Sequence, residues 1–528
     1  MKNLQICLVF LILSLVLALT GFSQSIYNGI GHIPASCQVE WTNAGLYNPI
    51  STADNILYIT DFTGSYDARI QAAINAANNL NGVTIIYFPA GNYVFQQTIN
   101  LSSNIIIQGA GSASTVFKFD NDKCSNAFSI VGGGPVNEKT VTGNIAKTDN
   151  VITVSNTTGY QANDWILFKK RTNPDAYVRP GYGENGYAHS GQISKITGLD
   201  AGSITIKDKA SKAYNANNQL FLYKITPIVN VGIENLSIER LPDGDGKGIG
   251  KTINFGYAVN CWVRGVESKN ALGRHVNMSA SSHIEISGCY IHHAHDYCSG
   301  ESCGGVSDGF GYGITVGNTS TNCLIENNVF QKIRHAMLTA NGANCNVFTY
   351  NYSREQYLEG PGILGCLGGE LHGDIVLHSQ YSYANLFEQN WVEKIEADDV
   401  HGKNGPYNAF IRNRVQDHNG IWHTMTLINA PNTSVLGCEL RLDETYTPIV
   451  TGGNISLTTD LYGILIFNYP PHNTYETGIM ISHSDLAQNW FYYKNYMHLH
   501  DFSYFYFQRP SFVNTNYIFP SIEPEFTS

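Results

Sequence analysis

Two dipeptides raise the question of chemistry: Arg274-His275 and Arg334-His335 each set a permanent cation beside a titratable imidazole. Downstream follow Gly373-Asp374, then Asp398-Asp399 with His401 just beyond, then Trp422-His423. Histidine changes charge near neutral pH and a carboxylate can hold or accept a proton. Gathered on one face, such residues could run general acid–base chemistry. Whether they share a face depends on spacing. Each pair, together with Tyr312-Gly313, lies eleven to thirteen residues before a phrase that keeps returning along the chain.

That phrase is an apolar residue, a polar one, then Gly or Asn. It reads Val263-Arg264-Gly265, Ile286-Ser287-Gly288 and Ile325-Glu326-Asn327, then recurs at Phe348–Asn351, Phe387–Asn390, Phe410–Asn413 and Val435–Gly437. Its turn residue falls at 265, 288, 327, 351, 390, 413 and 437, in steps of 23, 39, 24, 39, 23 and 24. A period in the low twenties built from short β-type runs signals a solenoid, in which each coil buries its core only against its neighbours. The two long steps are the same coil with a loop of roughly fifteen residues added, at 292–311 and 354–372. Loops on a rigid scaffold are where function concentrates. Equivalent strand positions stack about 4.8 Å apart. His275 and His335 then lie two rungs, roughly 10 Å, apart, and His335, Asp374 and Asp398 or Asp399 fall on consecutive rungs. Asn327, Asn351, Asn390 and Asn413 read as a structural turn ladder.

Composition narrows the class. Residues 4–19 are apolar behind Lys2, the build of a secretory signal peptide over residues 1–24 and too short for a membrane span. Charged residues are 14% of the chain, against a globular average of about 25%. A net charge of −11 excludes nucleic acid as the natural partner, since phosphate binding needs a basic field. The expectation is an exported monomer with no membrane span. Export permits disulfides, and Cys298 and Cys303 flank a tight loop that one would close.

Asp67 to Asn79 reads as an amphipathic helix with Asp67 as N-cap and Ile70, Ala73, Ile74 and Ala77 as its apolar stripe. A helix at the end of a solenoid is a cap, so residues 25–129 are expected to hold the cap and first coils. Residues 130–225 break the rhythm and read as an inserted small β subdomain. The main coils run over 226–440, and 441–528 hold irregular coils and an aromatic-rich end cover.

The stretch from Asp61 to Gly111, with Ile70-Gln71-Ala72-Ala73-Ile74, Phe88-Pro89-Ala90-Gly91-Asn92-Tyr93 and Ile107-Gln108-Gly109-Ala110-Gly111, resembles the opening of the pectate lyase-like superfamily. The resemblance covers about fifty residues closely, and the rest only in repeat style. It implies an all-β, right-handed parallel β-helix and a secreted protein acting on a polysaccharide in a groove along one face. It transfers no active site. The hydrolase pattern of that superfamily has Asn-Thr-Asp, Asp-Asp and Gly-His-Gly on separate coils. Here Asp398-Asp399 is followed one residue later by His401-Gly402, and no Asn-Thr-Asp precedes it.

Two chemistries fit the column. In β-elimination on a uronate, Arg274 or Arg334 neutralises the carboxylate and His275 or His335 takes the C5 proton, with Lys332 and Tyr350 in reserve. Asp374, Asp398 and Asp399 could then hold a calcium ion, which takes oxygen ligands. In inverting hydrolysis, Asp374 and Asp399 are the carboxylate pair and His401 or His335 tunes a pKa. Elimination is the first choice, on the Arg-His pairs and the missing hydrolase pattern. A non-catalytic glycan binder is the third reading. Tyr312, Tyr352 and Trp422 could stack on sugar rings. His292, His295 and Asp296 could bind a metal, although alternation puts His293 with His295 and leaves His292 on the other face. Against each single assignment stands a plain alternative, because an Asp near a turn often only satisfies backbone donors.

Overall fold

Period-two alternation in runs of three to six residues buries every second side chain on one sheet face, and a chain of such runs must coil to share that buried face. The computed structural model is a right-handed parallel β-helix of this kind. It describes residues 33, 36–50, 52–120, 126–171, 190–242, 250–297, 310–357, 373–378, 380–398, 402–416, 425–428, 430–436, 438–441, 449–451, 465–467, 478–479, 503, 505–506 and 510–513. Three long sheets run its length. Sheet A begins at Asn55–Tyr58 and ends at Ser434–Leu436, sheet B runs from Gly91–Phe95 to Leu465–Phe467, and sheet C from Ile99–Asn100 to Gly478–Ile479. Each coil visits C, A and B in turn. Inside, like residues stack on like: Phe348, Phe387 and Phe410 lie ring on ring at 4.8 and 4.9 Å.

The turn from sheet A to sheet B decides the register. Gly265, Gly288 and Asn327 take positive φ there (58°, 61° and 51°), as the recurrent phrase requires. In the next three coils the left-handed residue is Tyr350, Gln389 or Arg412, one position earlier than the phrase suggests. The reason is the asparagine that follows. Asn351, Asn390 and Asn413, together with Asn328 rather than Asn327, form the ladder. The carboxamide oxygens of Asn351, Asn390 and Asn413 accept the backbone N–H of the asparagine one coil before, at 3.0–3.1 Å, and the NH2 groups of Asn328, Asn351 and Asn390 donate to those same oxygens at 2.9–3.0 Å. A second ladder, Asn346, Asn385 and Asn408, lines the turn from C to A in the same way. All seven side chains are buried, so these bonds stand in for water.

The one α-helix among the described residues, Tyr66–Ala77, closes the N-terminal end with Ile70, Ala73, Ile74 and Ala77 buried. Ser65, not Asp67, is its N-cap, accepting the Ala68 N–H; Asp67 instead accepts the N–H groups of Gln96 and Gln97. Residues 133–226 leave the coil as a six-stranded antiparallel sheet with its own core around Ile152, Ile166, Phe168, Ile204 and Leu222. It rests on the C-to-A corner, where the Tyr214 and Tyr383 hydroxyls meet at 2.8 Å and the Lys212 ammonium lies 4.4 Å from the Tyr381 ring. Residues 36–50 cross the outer face of sheet A. Trp41 is buried there with Leu324, Val347, Leu386, Ala409 and Ile411, and its indole N–H donates to the Ala384 carbonyl at 2.8 Å. Cys261, Cys289, Cys323 and Cys345 are free buried thiols, each pushed up to about 12 by burial. Cys298 and Cys303 lie outside the described residues.

Candidate active site

The expected residues gather on sheet C, but not in one column. Register pairs Arg274 with Tyr312, Tyr312 with His335, and by extension His335 with Gly373. His275 and Asp374 belong to the next position along, with Gly313 and Ala336 between them. Asp398 is elsewhere, at the far end of strand Ile395–Asp398, paired with His378. The extra residues of this coil sit in the turn leading to sheet A, so a fixed count back from Phe410 stops at the end of the strand and not at its start. Asp399, His401 and Trp422 lie outside the described residues.

His275 and Asp374 are corner residues. The His275 ring is fully buried, its Nε2–H donating to the His293 carbonyl at 3.0 Å and its Nδ1 accepting from the Ser268 hydroxyl at 2.8 Å. Burial and the neighbouring His292 push its pKa down to about 3, so it stays neutral. Asp374 accepts from the Ser353 hydroxyl at 2.7 Å and from the backbone N–H groups of Glu393 and Lys394. Size explains the pairing. Ser268 and Ser353 share one inward column of sheet B with Ile291 and Phe330. The large residues face Gly313 and Ala336; the small serines face His275 and Asp374. These two side chains fill the corner, and neither points chemistry outward.

Arg274, Tyr312, Arg334 and His335 do come together. The two guanidinium groups lie 5.6 and 5.4 Å from the centre of the Tyr312 ring, and the His335 ring lies 4.9 Å from it. His335 Nδ1–H donates to the Gly373 carbonyl at 2.9 Å, which fixes the ring against its rung. Beside them Leu338 and Val376 make an apolar floor on the outward face. Lys332 sits at the turn entering sheet C, its ammonium 5.0 Å from the Tyr357 ring. Tyr352 is on sheet B, away from this group.

Next to it on the same face is a second cluster, largely unforeseen. Glu396 and Asp398 alternate along strand Ile395–Asp398 and project together, Lys394 just before the strand continues the alternation, and His378 stands opposite Asp398 on the neighbouring strand. His378 Nδ1–H donates to the Asp398 carboxylate at 2.5 Å, and Lys394 pairs with Glu396 at 3.3 Å. Lys394, Glu396 and Asp398 are buried; the His378 side chain keeps 20% of its surface. Burial opposes a charge on His378, but the Asp398 charge and hydrogen bond, with Glu396, outweigh it and the nearby Arg334, so its pKa is raised. Burial lifts Glu396 to about 8, with the Asp398 charge adding and Lys394 opposing. The signal was present as Lys-Ile-Glu-Ala-Asp, charges at every second position of a strand whose other residues are core.

The cation-holding role expected of Asp374 and Asp398 is not assembled. Four strand positions, about 13 Å, separate them. His292, His295 and Asp296 diverge as well: His292 bonds Glu267, His295 bonds the Arg240 carbonyl, and Asp296 accepts the N–H of Tyr297. Among the described residues no group of three or more such side chains could hold a metal ion.

A solenoid of three long parallel sheets whose coils stack rung on rung is the architecture of a pectate lyase-like β-helix. The chain belongs to the rhamnogalacturonase A/epimerase, pectate lyase-like family, whose sequence model matches residues 60–356, and this is a family of polysaccharide-acting proteins. Among solved structures it is similar to the tailspike protein gp49 of Pseudomonas phage LKA1 (17% identity, TM-score 0.50, covering 72% of this chain and 57% of that one). The chain thus spans little more than half of that tailspike. It is also similar to the tailspike gp61 of Pseudomonas phage phi297 (13%, TM-score 0.43, 78% and 74%) and to a hyperthermoactive exopolygalacturonase from Thermotoga maritima (12%, TM-score 0.38, 81% and 94%). At such identities the likeness is one of fold. No curated protein matches the sequence. No helix among the described residues is long and apolar enough to cross a membrane.

Proposed function

We propose that this protein is an exported polysaccharide lyase that cleaves a uronate-containing glycan by β-elimination, with His378 as the base. The observation that carries this reading is the His378–Asp398 pair at 2.5 Å: a part-exposed imidazole, oriented and made more basic by a buried carboxylate, beside Arg334. His378 takes the C5 proton, the C4–C5 double bond forms, the C4–oxygen bond breaks, and the leaving oxygen gains a proton. In this reading Arg274 and Arg334, whose guanidinium groups flank the Tyr312 ring, offset the uronate carboxylate. His378 replaces His275 and His335, whose hydrogen bonds hold them in the scaffold.

A specific observation favours hydrolysis as the second reading. Glu396 and Asp398 lie two positions apart on one strand, about 7 Å between Cα atoms, and burial keeps Glu396 protonated near neutrality. Such a pair suits inversion, with Glu396 as acid and Asp398 activating water.

The purified chain is incubated with neutral and acidic polysaccharides while ultraviolet absorbance and new reducing ends are followed together. The lyase reading expects both signals, and a fall of about 10²-fold or more in His378→Ala. Reducing ends without absorbance, abolished in Glu396→Gln, would replace it by the hydrolase. Neither signal on any polymer would leave a glycan-binding β-helix.

A further inference from the structure

Sheet B carries an outward column that neither reading uses. Register aligns Tyr290, Val329, Tyr352 and Trp391 on four consecutive rungs, followed by Arg414. Outward positions of a sheet facing water are normally polar. Here Val329 and Trp391 are 41% and 40% exposed, and the Tyr352 and Trp391 rings meet edge to face at 5.3 Å. Two positions along each strand runs a polar column, with His292 beside Tyr290, Gln331 beside Val329 and Arg354 beside Tyr352. Tyr290 is stacked flat on His292, centres 4.1 Å apart, and its hydroxyl donates to Gln331.

We infer that this strip is a second glycan-binding surface, on which a polysaccharide lies along the helix axis apart from the sheet C site. The inference rests on the reading that the protein's partner is a polysaccharide. Three features select that occupant. The apolar strip is one residue wide and its four rungs are three spacings, about 14 Å, long, so it is far too narrow for a protein interface of about 800 Å² a side. Its exposed aromatic member, Trp391, presents an amphipathic ring to the C–H face of a sugar, braced edge to face by Tyr352 and with the Arg414 guanidinium 5.0 Å from its centre. The parallel polar column supplies hydrogen-bonding groups along one side, where the hydroxyl rim of a chain seated on the rings would fall. A polymer anchored on sheet B would be kept near the protein while another stretch of it is processed on sheet C.

The test is affinity electrophoresis of the full chain through gels containing each soluble polysaccharide. At least one polymer is expected to retard the wild type. Trp391→Ala and Val329→Asp should weaken that retardation about ten-fold, a stacking contribution of ordinary size. Trp391→Phe should keep most of it. Thermal midpoints close to wild type would show that the exposed-site variants are folded. Retardation indifferent to Trp391 and Val329, or absent with every polymer, would overturn the inference whatever the product assays give. Retardation lost with Trp391 in a chain that releases no product would overturn the lyase reading and keep this one. Concentration-dependent dimerisation abolished by Trp391→Ala, without any effect of glycan, would assign the strip to a second copy of the chain and overturn it too.

Discussion

Glu396 holds its proton far more tightly in the fold than an ordinary glutamate near 4.5, because burial raises it to about 8. The folded state therefore binds one proton more than the unfolded chain between those two values. Stability from this group is complete below about pH 4.5 and falls as pH rises toward 8, by at most about 1.4 kcal/mol per pH unit. Glu396→Gln cannot ionise. Its urea midpoint is expected to decline less than that of wild type between pH 5 and 8, and parallel profiles would mean that Glu396 is already ionised across this range. His378 follows the same sign, since its pKa is also raised, but it keeps contact with solvent. Two groups shifted by one local environment are what acid–base work requires, and the same shifts cost stability in the pH range where the chemistry would run.

At the scale of elements, the asparagine ladders and the sheet corners set what can be built outside. Asn390 accepts from Asn351 twice and donates to Asn413 and to the Phe348 carbonyl, all without water. Asn390→Ala should cost about 2–4 kcal/mol, since it strands several buried partners at once. The same change at Asn328, first of its ladder, should cost less, and chemical denaturation of the two variants checks the order. The ladder also shows how far the sequence could be read. Its recurrent phrase carried the coil and the two long steps, because core periodicity is local; the strand directions came from the resemblance of the opening fifty residues. It missed the shift of the left-handed residue onto Tyr350, Gln389 and Arg412, because an asparagine looks the same whether it makes the turn or braces it. It also misplaced Asp398, because turn lengths differ between coils and a count through a turn carries that difference onward. Glu396 and His378 were legible only as alternation and register, and both needed the strand boundaries first.

At the scale of the molecule, a solenoid exposes the outer faces of its sheets, and this one covers sheet A with its own chain. Trp41, 2% exposed, is the anchor of that cover. Trp41→Ala should destabilise by about 3–5 kcal/mol, through lost burial and the lost indole hydrogen bond to the Ala384 carbonyl, which is left with the Cys345 N–H. The expected readout is a clear drop in thermal midpoint together with faster hydrogen exchange in Leu386 and Ala409, whose side chains lie beneath it. An unchanged midpoint would mean that residues 36–50 add little to the stability of the coils.

The antiparallel insert has a consequence for the order in which the chain assembles. Gln108 and Glu234 hydrogen-bond at 3.0 Å across adjacent rungs although 126 residues separate them, whereas the later rungs join residues 23 or 39 apart. Closing the longer span adds only about 1–1.5 kcal/mol of loop entropy over the shorter ones. The delay is greater than the cost. During synthesis the helix cap and first strands emerge and pair with one another, but their last rung has no next neighbour until the whole insert has followed. At about 5–20 residues per second, that is several seconds of exposed strand edge at the N-terminal end. An insert that folds early draws its two ends together and shortens the wait. Refolding should therefore show a seam: protection against hydrogen exchange rising first in the coils after residue 250 and within the insert, and last where Gln108 meets Glu234.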